Sequence, residues 1–335
     1  MAGGQERILR RRIKSMQSTK KITRAMELIA ATRIVKAQAR VTAARPYADQ
    51  ITAVVHSLAA GGAGAGQPLL SQRETVRKVG YIVVVGDRGL AGAYNSSVIR
   101  MAERAALAGR EQGIEFGLIT VGKKAEDYFR FRKYTVDAAF KGFSDKPTYE
   151  DARAVAAAVL ERFDAGEYDQ IELVYTQFLS AGSQRPVLRR FAPIDLGDAA
   201  TPAGAGPEGG EGSGASYEFE PEPAGILSAL LPRYAESRLF AAMLDAAASE
   251  YAARQRAMKS ATDNAGELIK NLSRKMNQAR QASITTEIME IVGGAEALSA
   301  DRGSKNDLIL DHLEPTDLFG SHGNQFGHRV GADAS

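Results

Sequence analysis

Residues 234–286 read YAESRLFAAMLDAAASEYAARQRAMKSATDNAGELIKNLSRKMNQARQASITT. Starting at Tyr234, steps of three and four alternate without a break. The stripe is Tyr234, Ser237, Ala241, Leu244, Ala248, Tyr251, Gln255, Met258, Thr262, Ala265, Ile269, Leu272, Met276, Ala279, Ser283 and Thr286. A strict seven-residue repeat predicts a left-handed coiled coil. Many members of the stripe are small or polar, so the seam allows close approach and grips less than a leucine seam. Gln255 and Thr262 are expected to fix its register at a cost in stability. No proline falls between 233 and 314, and a helix is expected over 225–298. Such a helix is about 110 Å long at ~1.5 Å per residue. A compact globule of this length is only about 50 Å across, so the helix cannot lie inside it.

The partner of that seam is expected at the other end of the chain. Residues 5–60 read as one helix, with Leu9, Ile13, Met16, Ile22, Met26, Ile29, Ile34, Ala37, Val41 and Ala44 as its apolar stripe. Pro46 is expected to kink or break it, and GGAGAG at 61–66 to end it. Two long helices with matching seams most simply pair as an antiparallel coiled coil.

Between them, residues 78–196 read as a small α/β domain with a mainly parallel sheet. Tyr81–Val85 is a continuous apolar run, as a buried strand shows. It leads into GDRGLAGAYN, 86–95, and a helix to about Gln112. Strands are expected at 114–121, 171–175 and 185–194, and helices at 123–130 and 151–164. Residues 197–216, GDAATPAGAGPEGGEGSGAS, read as a flexible loop, because they bury too little to offset their ordering entropy. An extended piece, Tyr217 to Pro221, follows. Residues 299–335 read as a disordered tail.

Charge narrows the function. The chain has 335 residues, 43 basic and 40 acidic, but residues 7–45 hold twelve basic side chains opposed only by Glu27. This segment is longer than a transit peptide and continues unbroken into more helix. It reads as a solvated face or as a basic helix facing an acidic protein partner. At the far end, no basic residue stands between Arg280 and Arg302, while Ile284, Ile288, Ile291, Val292, Ala295 and Leu298 make an apolar tip. Exposed apolar helix of that size needs something around it, so a sleeve supplied by other chains is expected.

Several classes are excluded or disfavoured. With no cysteine, there is no disulfide scaffold, thiolate metal site or thiol nucleophile. No run approaches the ~18 apolar residues of a membrane span. His312, His322 and His328 in the tail read as incidental composition, not a metal site. The glycine-rich loop lacks the phosphate-loop lysine and the dinucleotide spacing. Asp87 and Arg88 have no base or metal partner in sequence. A coiled-coil nucleic-acid binder or scaffold is the alternative. However, a basic arm should precede its seam on one helix, and here the seam comes some 200 residues later.

Three runs carry a family resemblance: RIKSMQSTKKITRAMELIAATR (12–33), DRGLAGAYN (87–95) and MKSATDNAGELIKNLSRKMNQARQASITTEIMEIVGGAEAL (258–298). Together they resemble the gamma subunit of the bacterial F-type ATP synthase, in order and spacing, across residues 1–298. The resemblance implies a Rossmann-like α/β domain beside a coiled coil of the two terminal helices. It implies a central-stalk rotor with no catalytic residue, nucleotide, cofactor, metal or small-molecule substrate of its own. The implied partners are the alpha and beta subunits of the catalytic hexamer, the epsilon subunit and the membrane c ring, at the cytoplasmic face of the bacterial plasma membrane. No nucleic acid is implied.

Carried over by motif position, Met26 is placed opposite the C-terminal helix near Arg280, Gln281, Thr285 and Glu290, which make polar contacts with catalytic subunits. Lys20, Lys21 and Arg24 would face acidic beta-subunit loops. Asp87, Arg88 and Gly89 would lie nearest the moving lobes. Tyr217, Phe219 and Glu220 resemble the foot that meets the c ring. The chain departs from the family at Ala91, where many bacterial relatives carry cysteine, in the absence of the chloroplast cysteine pair, and in the tail beyond Leu298.

Overall fold

A computed structural model describes residues 2–64, 66–195 and 223–301. The elements in chain order are α1 (Ala2–Leu58), a π-helical turn (Ala59–Ala63), β1 (Lys78–Val84), α2 (Tyr94–Glu111), β2 (Glu115–Val121) and α3 (Lys123–Phe131). They continue with β3 (Ala138–Phe140), α4 (Tyr149–Asp164), β4 (Gln170–Phe178), β5 (Gln184–Ala192) and α5 (Pro223–Asp301). The chain divides into two units, residues 12–271 and residues 1–11 with 272–335. The expected foot residues Tyr217, Phe219 and Glu220 lie outside the described residues, as do the glycine-rich loop and the tail beyond 301.

Within residues 12–271 the sheet order is β3-β2-β1-β4-β5, parallel except for the antiparallel β4–β5 pair. The period of two along β1 sorts its side chains between two layers. Val79, Tyr81, Val83 and Val85 face α2 and α3, meeting Val98, Ile99, Ala102 and Phe129. Ile82 and Val84 belong to the other core, with Val155, Val159 and Phe163 of α4, Val55 and Leu58 of α1, and Leu227, Leu231 and Leu239 of α5. The terminal helices are thus built into the core of the α/β domain. A capping box of Thr148 and Asp151 starts α4. Gly122 turns the chain from β2 into α3 at φ 104°, where a Cβ would sit 2.2 Å from the Val85 carbonyl oxygen. No other residue type fits.

The two helices pair antiparallel, as expected. Thr262 donates from Oγ1 to Thr23 Oγ1 at 2.8 Å. Ile34 shares a cluster with Ala248, Tyr251 and Ala252, and Lys20 lies over Gly266. The α5 stripe behaves as read. Tyr234, Ser237, Leu244, Ala248, Tyr251, Met258, Thr262 and Ala265 are buried.

The α1 stripe needs correction. Its buried positions run through Ile13, Thr23, Glu27, Ala30 and Ile34, while Ile22 and Ile29 are 60% and 58% exposed. Seven-residue spacing wins over hydrophobicity here. The polar members are satisfied in place, Thr23 by Thr262 and Glu27 by a 2.9 Å pair with Arg24.

Pro46 does not break α1. It lies on the exposed side, where water can reach the Thr42 carbonyl that loses its donor. α5 likewise continues through Pro232. The strand β3 was not expected. Its three residues, two half-buried and Ala139 exposed, are too few to carry a periodic signal.

In the other unit, Glu6 and Leu9 of α1 are half-buried, as are Leu272, Met276, Ala279 and Ser283 of α5. From Ile284 to Ser299 every residue is exposed, including Ile288, Met289, Ile291, Val292 and Leu298. Thr286, the last member of the expected stripe, is therefore outside the seam. No helix among the described residues is long and apolar enough to cross a membrane.

Candidate partner-contact surface

The loop after β1 is fixed from beneath by Asp87. Its Oδ1 accepts the Lys123 amide at 2.9 Å, and Oδ2 accepts those of Gly142 and Ser144 at 2.9 and 3.1 Å. The Asp87 amide donates to Ser144 Oγ at 2.8 Å. Burial pushes this carboxyl up, but the three amides and the Ser144 hydroxyl outweigh it and hold it below the ordinary value. Asn95 ties the other side of the loop. Its Oδ1 accepts the Gly86 amide at 2.9 Å, and its Nδ2 donates to the Arg88 carbonyl at 3.1 Å.

Asp87 was expected to be a contact residue. Its carboxylate is hydrogen-bonded within the chain, and beside it Arg88 and Leu90 are exposed and Gly89 is half-buried. Leu90 adopts φ 62° with its side chain exposed. A leucine held in that region stores backbone strain of about 1 kcal/mol, which marks a shape imposed by its surroundings.

This loop meets both helices at a cleft of about 310 Å³. Met26, Ile29, Ala30 and Arg33 line it from α1, Arg88, Gly89 and Leu90 from the loop, Asp145 from the β3–α4 connection, and Tyr251 and Arg254 from α5. Three arginines from three elements thus line an apolar floor, and the Arg254 guanidinium is paired with Glu250. Asp145 is the single acid in this lining, and the Tyr251 hydroxyl donates to its carbonyl and Oδ2 at 3.3 and 3.4 Å. Burial raises the Tyr251 hydroxyl pKa, Asp145 adds to the rise, and Arg33 opposes it.

Met26 meets α5 within residues 12–271. Continuing the pairing of Thr23 with Thr262 sets Met26 opposite Lys259, and the α5 residues beside it in the cleft are Tyr251 and Arg254. Arg280, Gln281, Thr285 and Glu290 belong to the other unit and are all exposed. Thr285 bonds back to the Gln281 carbonyl at 3.0 Å. Lys20, Lys21 and Arg24 are exposed on α1, but Arg24 is already paired with Glu27, which reduces its share of the basic field.

Arg33, Leu90, Tyr251 and Arg254 escaped the motif reading. Tyr251 stood on the α5 stripe, and Arg254 follows it by three residues on the same face. Nothing linear connects residue 254 to residue 89. Among the described residues no group of three or more His, Asp or Glu is placed to hold a metal ion.

Comparison with known proteins identifies the family. The family model for ATP synthase matches residues 5–298. The ATP synthase gamma chain of Frankia casuarinae is 50% identical over 301 residues, covering 89% of this chain and 99% of that one. The gamma chain of Mycolicibacterium smegmatis is 47% identical over 310 residues, with 88% and 98% covered. Among solved structures, a chain of the Euglena gracilis mitochondrial ATP synthase assembly OSCP/F1/c-ring aligns with a TM-score of 0.63 at 19% identity. That alignment covers 93% of this chain and all of the other. A chain of the Tetrahymena thermophila mitochondrial ATP synthase central stalk and c ring gives 0.54 at 24% identity, with 72% and 99% covered. At these identities the structural matches establish a shared fold. The sequence matches go further, and the chain belongs to the ATP synthase gamma-chain family.

Proposed function

We propose that this chain is the central-stalk rotor of an F-type ATP synthase, carrying rotation of the membrane c ring to the catalytic beta subunits. Family membership supports this reading, and one structural observation carries it. The stretch Ile284–Leu298 exposes its large apolar side chains, most of them along one face of the helix, with none of them buried. Isolated, such a surface invites aggregation. Enclosed in a ring of alpha and beta subunits, it becomes a bearing of low specificity.

In this reading the chain performs no bond-making chemistry and binds no nucleotide. Its work is differential contact. A shaft that touches all three beta subunits equally shifts no equilibrium, so only contacts that differ between their states can drive them. The cations Lys20, Lys21, Arg33 and Arg88 suit acidic loops of the beta subunits, with long-range attraction that tolerates sliding. Arg280, Gln281, Thr285 and Glu290 would supply polar contacts inside the hexamer, and Tyr217, Phe219 and Glu220 a foot on the c ring. The epsilon subunit would bind the α/β domain, at the cytoplasmic face of the bacterial plasma membrane. The nucleic-acid-binding and scaffold alternative finds no support in the family match.

The test is ATP-driven proton pumping in vesicles carrying the whole complex. Replacing Lys20, Lys21 and Arg24 by alanine is expected to lower the protons moved per ATP hydrolysed. An unchanged ratio would remove the basic face of α1 from the coupling path.

A further inference from the structure

In the order β3-β2-β1-β4-β5, the chain leaves β1 towards β2, while β4 lies on its other side. Open sheets hold ligands in the crevice at such a reversal, beyond the carboxyl ends of the strands. Here α5 fills it. Ser249 Oγ donates to the Thr176 carbonyl of β4 at 3.2 Å. Glu250 sits directly on Gly86, just past β1, where a Cβ would lie 2.8 Å from the Glu250 carboxyl carbon. Glu250 is 1% exposed. Its Oε1 accepts a 2.5 Å bond from Arg254 Nη2, and its Oε2 has no hydrogen-bond partner. Arg254 Nη2 also donates to the Gly89 carbonyl at 3.3 Å, and its guanidinium stands 5.8 Å from the Tyr251 ring centroid.

Stability is a weak reason for such a pair. A buried ion pair recovers its desolvation cost only with good geometry and full hydrogen bonding, and apolar replacements are often neutral. Glu250 Oε2 is not fully bonded. What the pair supplies is orientation. A long arginine side chain has many rotamers, and a carboxylate one turn back on the same helix selects one of them. Held there, Arg254 ties the Gly89 carbonyl to α5, while Asp87 and Asn95 tie the same loop to the starts of α3 and α2. Burial raises the Glu250 carboxyl pKa, and Arg254 opposes the rise.

We propose that Glu250 is a positioning residue for coupling. It holds Arg254 so that the 87–90 loop and α5 move as one body at the mouth of the cleft. This rests on the rotor reading above.

The test uses the whole complex in membrane vesicles and, in separate samples, nitroxide pairs at Leu90→Cys and Lys259→Cys. The labels go on the full chain before reconstitution, and the chain contains no cysteine of its own to interfere. Glu250→Gln is expected to lower protons pumped per ATP at least threefold and to broaden the 90–259 distance distribution. Glu250→Asp restores part of both. In the double variant Glu250→Gln/Arg254→Met the unfolding midpoint returns and pumping does not, which a merely structural pair would not do.

A narrow distance with normal pumping in Glu250→Gln overturns the proposal. So does a broadened distance with normal pumping, or a double variant that recovers both. If Glu250→Gln does not assemble, the double variant decides alone. Arg33→Ala and Arg88→Ala separate the two claims. If they pump normally while Glu250→Gln does not, the cleft is not the contact surface and the role of Glu250 stands.

Discussion

Between Tyr234 and Ala265, α5 presents small and polar residues to its neighbours and buries them: Ser237, Ala248, Ser249, Glu250 and Thr262 are all inaccessible. Between Ile284 and Leu298 the same helix carries large apolar residues and buries none of them, with Ile291 71% exposed. A reading by hydrophobicity alone would invert the two. The first stretch is specified by shape and hydrogen bonding, since small residues let the sheet and α1 approach closely, and each polar group has a defined place. The second has no partner among the described residues of its own unit. The difference separates a part that must hold one geometry from a part whose geometry is left to its surroundings.

The largest expected effect lies in the first stretch. Asp245 is half-buried on α5, and its carboxyl is pushed up to about 7 by burial, which the Phe178 amide, Arg45 and Arg189 only partly offset. The folded chain therefore holds this proton more tightly than the unfolded chain, whose aspartates titrate near ~4. Its contribution is fully present below pH ~4, falls as pH rises towards 7, and levels off above. Asp245→Asn is expected to remove that slope and to stabilise the chain at pH 8 by up to about 4 kcal/mol. Urea unfolding of both forms at several pH values measures it. Parallel pH profiles would show that Asp245 is solvated like any surface acid.

Gly86→Ala probes the same stretch by shape. The new methyl would meet a buried carboxylate at 2.8 Å, and overpacking of this kind costs about 3 kcal/mol. A urea midpoint equal to wild type would mean that Glu250 is free to withdraw.

The second stretch should respond in the opposite sense. Ile288→Asp with Ile291→Asp is expected to change the stability of the chain by less than about 1 kcal/mol, because both side chains are exposed. Assembly with alpha and beta subunits should weaken at least tenfold, about 1.4 kcal/mol. Sedimentation of the reconstituted mixture reads the assembly, and unfolding reads the stability. A large loss of stability would mean that these residues pack within the chain after all.

The smallest effect concerns register. Thr262→Val deletes the hydroxyl that meets Thr23 and leaves Thr23 buried without it, at a cost of about 1 kcal/mol. Thr23→Val/Thr262→Val should recover most of that loss. If the double variant is worse than the sum of the singles, the threonines do more than satisfy each other.

The strands and the α5 seam were legible because their signals are local. Tyr81–Val85 is a continuous apolar run, and a repeat of seven over fifty residues survives a polar Gln255 or Thr262. The α1 seam was legible only in part. Thr23, Glu27 and Ala30 look like solvent positions until Thr262 and Arg24 are set beside them, and Ile22 and Ile29 look like core. Pro46 reads as a break because the exposure that makes it tolerable is a tertiary fact. The cleft was the least legible, since Met26, Arg88 and Arg254 meet only after both helices dock on the sheet. Asp87 was noticed for its motif, but that it serves the loop from within follows from amides 36 and 55 residues further on.

The central claim is that this chain turns inside a ring of other subunits. Its lack of cysteine allows one to be introduced at Ala108, on the exposed face of α2, to carry a visible probe on the surface-anchored complex. With ATP present the account predicts continuous rotation of the probe in one sense, stopping when hydrolysis is inhibited. A probe that stays fixed while the complex hydrolyses ATP at its normal rate would contradict it.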